Sequence, residues 1–380
     1  MNARWYLSVA ALSALLVAGG IRLANCWALA PDTVDRTRHV LEQKMTALLL
    51  ADRPVVILGQ FNERMLRWHY ARRMTAGPQT VVFGSSHSLG VTAAQVGAGR
   101  AFNFSISGGS LAEHLVTAGI LQARGIKPHR WVIFVDAWLF DSGADSGVWR
   151  QRAGDLFAME TRLAASAHPS LPHIFSAADA TPAGDDNPFT LNPLIQAFDG
   201  SVGRYTVRAF TPGGGVTSAQ LMATDGSLDV YADETEATPE SSRARAIRQY
   251  RNANDRHRYG NYARLDENLW GYFAHWVTAC QADGGEVWLV LSPYHPAIYP
   301  RLIAAPQNQL RTIEARVREF AAQHGLPCTG SYDPAVLGLA SEDFFDGDHL
   351  LNAGLQRLLR PLAAPASAAT TARTDSHAAL

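Results

Sequence analysis

The stretch Thr80-Val81-Val82-Phe83-Gly84-Ser85-Ser86-His87-Ser88 decides how this chain is read. Four residues of strand-forming character run into a glycine, two serines and a histidine, and a helical pattern follows within a few positions. That order predicts a buried parallel strand ending in a tight turn that presents a hydroxyl. Ligands of open α/β sheets gather at the carboxyl ends of such strands, which places a serine here for chemistry. Serines also cap helices well, so Ser85, Ser86 and Ser88 could equally do no more than cap the next segment.

Outward from this strand the pattern alternates. Residues 100–104 predict a second short strand, 110–124 a helix capped by Ser110, 131–135 an apolar third strand, and 286–291 a fourth strand behind a helix over 265–282. Amphipathic helices follow over 307–324 and 352–362. Strands alternating with helices predict an α/β fold with a parallel sheet and right-handed crossovers. Upstream, residues 31–76 read as a helical stalk or packing segment, interrupted at Pro54 and resuming over 61–74. Its arginines Arg64, Arg67, Arg72 and Arg73 read as solvated.

Within the α/β domain, taken as 77–363, the alternation breaks between 141 and 264. Residues 165–240 are rich in Pro, Gly, Asp and Ser, including Thr211-Pro212-Gly213-Gly214-Gly215, and read as a loop-rich insertion beside the active face. Residues 243–264 then alternate basic residues with Tyr250, Tyr259 and Tyr262. They read as a solvated basic helix or as a surface for an anionic or sugar ligand. Residues 364–380, rich in Ala, Ser and Thr, read as a disordered tail.

Hydrophobic residues make up 47% and charged residues 18% of the 380, the balance of a folded globular protein. A net charge of −1 argues against a nucleic-acid partner. Residues 5–21 carry no charge and lie between Arg4 and Arg22, and the chain stays largely apolar to Ala30. Residues 1–30 therefore read as a transmembrane anchor, with a cleaved signal ending at Ala28-Leu29-Ala30 as the alternative. Either one exports the rest of the chain toward the periplasmic or extracellular side. Of the three cysteines, Cys26 falls in that segment, while Cys280 and Cys328 read as two buried thiols or one bridge. Their spacing suggests no metal site, and no cofactor is called for.

A serine nucleophile needs a base. The best candidate lies in Asp343-Phe344-Phe345-Asp346-Gly347-Asp348-His349-Leu350. A carboxylate three residues before a histidine can bond its Nδ1 and leave Nε2 for the serine, which suits Asp346 better than the adjacent Asp348. Asp136, His87, Tyr294 and His295 sit at strand ends or in the loops that follow them and are candidate substrate contacts.

With these residues in place, the chain resembles the SGNH (GDSL-like) hydrolase superfamily, in its membrane-anchored, exported branch linked to acylation of cell-surface polysaccharide or teichoic acid. Gly84-Ser85-Ser86 is similar to that family's first block. Asn103-Phe104-Ser105-Ile106-Ser107-Gly108 is similar to the second, which supplies an oxyanion-hole glycine. Asp346 to His349, with Gly354 beyond, is similar to the last. The resemblance implies a three-layer α/β/α sandwich around a flavodoxin-like sheet. It also implies Ser86 as nucleophile, His349 as base, Asp346 as its orienter, and the N–H groups of Ser86 and Gly108 as oxyanion donors. The family's Gly-x-Asn block departs here to Val135-Asp136-Ala137, which removes one donor.

The expected function is an esterase or O-acyltransferase working on acyl, chiefly acetyl, esters of a cell-surface glycan. An acylated glycan and a membrane-bound acyltransferase are the partners so implied. The alternative is a non-catalytic, glycan-binding accessory subunit of a polysaccharide biosynthesis or export complex.

Overall fold

The structure is a computed structural model that describes residues 12–13, 15–24, 39–57, 61–97, 99–144, 147–166, 172, 174–175, 208–209, 220–229, 238–252 and 257–363. Five strands form a parallel sheet: β1 (Thr80–Phe83), β2 (Ala101–Asn103), β3 (Arg130–Phe134), β4 (Glu286–Leu291) and β5 (Cys328–Gly330). Their order across the sheet is β2-β1-β3-β4-β5. Val82 of β1 pairs with Asn103 on one side and with Val132 on the other.

The strands are near-continuous apolar runs because both faces of the sheet are covered. Val81, Phe83, Trp131, Ile133, Leu289 and Leu291 enter one hydrophobic cluster, and Val82, Val132, Phe134 and Val290 enter the other. The longer helices are α1 (Val40–Leu50), α2 (Glu63–Arg73), α3 (Leu111–Ala123), α4 (Ala153–Ser166), α5 (Pro239–Asn252), α6 (Glu267–Ala282), α7 (Leu310–Gln323) and α8 (Asn352–Ala363). Leu115 of α3, Trp276 of α6 and Val317 of α7 belong to the first cluster, and Leu355, Leu358, Leu359 and Leu362 of α8 to the second. Helices therefore pack on both faces.

From β1 the chain crosses to β2 on one side and then returns to β3 on the other. The strand order thus reverses at β1, the position at whose carboxyl end ligands of open α/β sheets gather. That is where Ser86 lies.

Several expectations are corrected. Residues 55–57, in the break between the two helical pieces of the segment 31–76, form a strand (Val55–Ile57) paired antiparallel with Arg208–Ala209 and Gln220–Met222 in a separate small sheet. Arg67 is fully buried rather than solvated. Its Nε donates to the Ser105 carbonyl at 3.2 Å and its Nη2 to that of Gly226 at 2.8 Å. Burial draws this guanidinium down to about 10, still charged at neutral pH. Arg64 pairs with the buried Glu113. The sequence could not show that these cations point at carbonyls and a carboxylate contributed from distant segments.

The interval 141–264 contains two 14-residue helices, α4 and α5, so it is less loop-rich at its ends than its composition implied. β5 carries no apolar run and was not foreseen. Cys280 and Cys328 are both free thiols, the first buried and the second half-buried. The readings of Cys26 and of residues 364–380 fall outside the described residues, as do those of most of 1–30 and of the centre of the insertion. No helix among the described residues is long and apolar enough to cross a membrane.

Candidate active site

β1 ends at Gly84, where only a hydrogen fits. A Cβ built there would stand 2.3 Å from Ser88 Oγ and 2.6 Å from Phe134 Cβ. The turn that follows assigns each serine a different task. Ser85 Oγ accepts from the His87 N–H at 3.2 Å, the capping role. Ser88 Oγ donates to the Ser85 carbonyl and lies 2.7 Å from Ser105 Oγ. Asn103, at the end of β2, clamps the turn, its Nδ2 reaching the carbonyls of Ser88, Leu89 and Val91 at 2.7 to 3.2 Å. Ser86 alone of the three remains for the site. Its Oγ is 2.9 Å from His349 Nε2.

His349 lies in the loop before α8, and its own chain sets the geometry. Asp346 Oδ1 accepts from the backbone N–H of Asp348 at 3.1 Å and of His349 at 3.0 Å. The same carboxylate meets His349 Nδ1 at 2.8 and 2.9 Å through its two oxygens. A tight Asx-type turn thus fixes the carboxylate before it orients the ring. With Nδ1 donating to Asp346, Nε2 is the nitrogen that can accept a proton from Ser86. The order Ser86–His349–Asp346 is the nucleophile–base–orienter arrangement of acyl-transfer enzymes.

The second loop is equally fixed. Ser107 donates through its N–H at 2.6 Å and its hydroxyl at 2.9 Å to the two oxygens of Glu63. Its carbonyl accepts from Arg64 at 3.1 Å. Gly108 follows at φ +59°, in the left-handed region that a side chain disfavours. Ser110 then caps α3 in a reciprocal box with Glu113. Among the described residues the N–H groups of Ser86 and Gly108 take no intramolecular acceptor.

The other sequence candidates are placed differently. Asp136 is buried and meets His87 Nδ1 at 2.7 Å, so it faces inward rather than toward a substrate. Tyr294 is buried and donates its hydroxyl to the Arg258 carbonyl at 2.8 Å. His295 is fully buried, its Nδ1 accepting from the Ala297 N–H at 2.9 Å. Burial pushes its imidazole down to about 4. His87, Asp136, Tyr294 and His295, read as candidate substrate contacts, are thus all buried and bonded within the protein. A strand's end locates a loop, whereas the direction of each side chain within it depends on the layers packed behind.

Two contributors went unforeseen. Asp348, set aside as too close a neighbour of His349, has Oδ1 3.1 Å from His349 Nδ1. Arg258, from the stretch read as a solvated basic helix, forks that same carboxylate with both Nε and Nη2. Burial alone would raise the Asp348 carboxyl, but His349, Arg258 and His87 hold it well below the usual carboxylate range. The alternating Arg and Tyr residues of 243–264 were the available signal.

His87, Asp348 and His349 bring ligand-type atoms within 4.8 Å of one another. A divalent cation does not suit them, because the Arg258 guanidinium already occupies the Asp348 carboxylate with fixed positive charge. Beside the loop 107–110 a cavity of about 240 Å³ is lined by Ser110, Trp138, Asp141, Trp149, Phe175 and Asp266, among others. Trp138 joins it to the site, its Nε1 donating to the Gly109 carbonyl at 3.0 Å.

No family model matches this chain, and no curated protein sequence matches it.

Proposed function

We propose that this chain is an exported, membrane-anchored serine esterase or O-acyltransferase of SGNH type, acting on acyl esters of a cell-surface glycan. The observation that carries the proposal is the 2.9 Å approach of Ser86 Oγ to His349 Nε2, with Asp346 on the far side of the ring. The sheet order, second-first-third-fourth-fifth in chain sequence, is the flavodoxin-like order and supports the three-layer SGNH reading. The charge-free run at residues 5–21 supports the anchor.

In this reading Ser86 attacks the ester carbonyl while His349 takes its proton. The oxyanion is met by the N–H groups of Ser86 and Gly108, each worth about 3 to 4 kcal/mol. His349 then protonates the leaving alcohol. The acyl-Ser86 intermediate passes to water or to a sugar hydroxyl. The cavity beside Gly109 is the place for the substrate's bulk.

Asp136, standing where hydrolases of this type carry an oxyanion asparagine, is committed to His87. That favours transfer over free hydrolysis, and it also supports the second reading, a glycan-binding accessory subunit. The deciding experiment treats the full chain with a fluorophosphonate probe and an aryl acetate, beside Ser86→Ala and His349→Ala. Labelling and turnover lost in both variants establish the enzyme. Absence of labelling in the unaltered protein, with glycan binding that survives Ser86→Ala, establishes the accessory role.

A further inference from the structure

Three carboxylates and two cations are gathered around His349, more than a triad requires. His87, next to the nucleophile, is 4% exposed. Its Nδ1 lies 2.7 Å from Asp136 Oδ1, and its Nε2 lies 3.4 Å from Asp348 Oδ2. A carboxylate oxygen can only accept, so a neutral ring in either tautomer would set a bare lone pair against one of these two. Only the Nδ1 contact is a hydrogen bond, since Nε2 has no hydrogen-bond partner among the described residues. A charged ring nevertheless suits both carboxylates, one bonded at Nδ1 and the other at ion-pair distance from Nε2. Asp136 Oδ2 is buried and has no hydrogen-bond donor among the described residues, which leaves His87 as the partner of that carboxylate. The rings of His87 and His349 stand 5.5 Å apart, centre to centre.

We infer that His87 is a fixed, buried cation which, with Arg258, offsets two of the three carboxylates Asp136, Asp346 and Asp348, leaving one negative charge to meet the proton that His349 takes from Ser86. The inference rests on the reading of Ser86 and His349 as nucleophile and base. The step itself is a proton transfer: the Ser86 O–H bond breaks as Oγ bonds the carbonyl carbon, and the proton passes to Nε2. Before it, the five groups carry a net charge of −1. After it, the His349 imidazolium brings the protein's charged side chains to zero. The negative charge released by Ser86 resides on the substrate oxyanion facing the N–H groups of Ser86 and Gly108, so the site's total stays at −1.

Burial by itself would lower the His87 ring, but Asp136 and Asp348 raise it to about 9. The remaining polar groups that pack on this site do not alter the balance. Tyr294 and His295, from the loop after β4, are buried, the first with its pKa raised and the second with its pKa lowered. Tyr259 adjoins Arg258, and its ring lies tilted against that of Tyr294, centroids 6.0 Å apart. From α5, Arg245 lies over the Phe345 ring at 4.3 Å, and Arg243 acts on His295. His87 acts through Asp348 and through space, so it is a positioning residue rather than a catalytic one.

The test uses the full chain labelled with 15N at histidine, together with the pH profile of fluorophosphonate labelling. The His87 ring, identified by its loss in His87→Gln, is expected to show two protonated nitrogens at pH 7.5. A neutral ring there overturns the inference. In the labelling profile, His87→Gln and Arg258→Gln each remove one positive charge and should move the acid-side midpoint up by about one pH unit. Asp348→Asn removes a negative charge and should move it down by a similar amount. A purely structural role would lower all three rates without moving the midpoints in opposite directions.

Unmoved midpoints, with the unaltered protein labelling normally, overturn this inference and leave the proposed function standing. Failure of the unaltered protein to label removes the proposed function, and the inference falls with it. If His87→Gln does not fold, Arg258→Gln and Asp348→Asn still carry the comparison, since Arg258 is partly exposed.

Discussion

Ser86 Oγ and His349 Nε2 lie 2.9 Å apart although 263 positions separate them in the chain. The sheet brings them together. Ser86 leaves the carboxyl end of β1, and the loop carrying His349 reaches the same edge after the chain has built β5, two strands beyond β3. The His295 N–H donates to the Gly347 carbonyl at 2.9 Å, which ties that loop to the end of β4.

Ser86→Ala and His349→Ala should each lower kcat/KM toward an aryl acetate by at least about 10³-fold. Residues that act as a unit are not additive, so the double variant should lose little more than either single one. A double variant with the product of the two losses would show that they act independently.

Asp346→Asn keeps the turn but presents an amide to Nδ1, and it should cost about 10³-fold or more in kcat. Asp348 stands 3.1 Å from the same nitrogen and can hold part of the ring's orientation. Steady-state kinetics of Asp346→Asn and of the Asp346→Asn, Asp348→Asn pair test this. The pair should be slower than Asp346→Asn alone.

Asn103→Ala would take a donor from three buried carbonyls and strip the buried Ser105 N–H of its acceptor. The Val91 carbonyl would be left with no donor shown among the described residues, while those of Ser88 and Leu89 keep the Val91 and Leu228 N–H groups. Leaving such groups unpaired costs about 1 to 3 kcal/mol each in principle, and relaxation of the turn reduces the sum to roughly 2 to 4. Urea unfolding should report that loss, and activity should fall with it because the clamp holds the Ser86 turn. Stability unchanged within about 0.5 kcal/mol, the spread of surface substitutions, would refute the clamp.

Gly84→Ala should destabilise the fold by about 1 to 3 kcal/mol, since the methyl would press on Ser88 Oγ and on Phe134 behind the sheet. Gly125→Ala is a useful contrast. No atom lies within 4 Å of its Cβ position, and its cost comes only from φ +67°. The two should differ in activity as well as in the urea midpoint, because only Gly84 borders the Ser86 turn.

His114, on α3, is fully buried with both ring nitrogens unpartnered among the described residues, and burial pushes its imidazole down to about 4. The folded value lies below the unfolded one of about 6.5, so the unfolded chain takes up the proton first. The stability it contributes is present above about pH 6.5 and is lost as the pH falls toward 4. His114→Leu should therefore flatten the decline of the urea midpoint across that window, with His295 keeping part of the slope. An unchanged slope would remove His114 as a source. His87 works in the opposite sense. Its value is raised to about 9, so its contribution is complete below about pH 6.5 and is lost as the pH rises through 9.

The parallel strands were legible where apolar residues run on without interruption. Residues 286–291 match β4 end to end, and β1 and β3 differ from expectation by no more than one residue at each end. β5, Cys328-Thr329-Gly330, was not legible, since its strand character comes from pairing with Leu289, Val290 and Leu291 rather than from its own side chains. The strand Val55–Ile57 has β-branched residues of its own, but its partners lie more than 150 residues downstream.

At the site, the meeting of Ser86, Asp346 and His349 was half legible, because the turn after a strand and the carboxylate three positions before a histidine are both local patterns. The sequence by itself determined these two short pieces, together with the alternation that makes an α/β sheet. Only the tertiary structure decided that the pieces meet, and that His87, Asp136, Asp348 and Arg258 come within ion-pair distance of one another. The physical reason is that local backbone preference fixes a turn within a few residues. The direction and charge of a buried side chain depend on which partners remote segments bring within hydrogen-bonding reach once water is excluded.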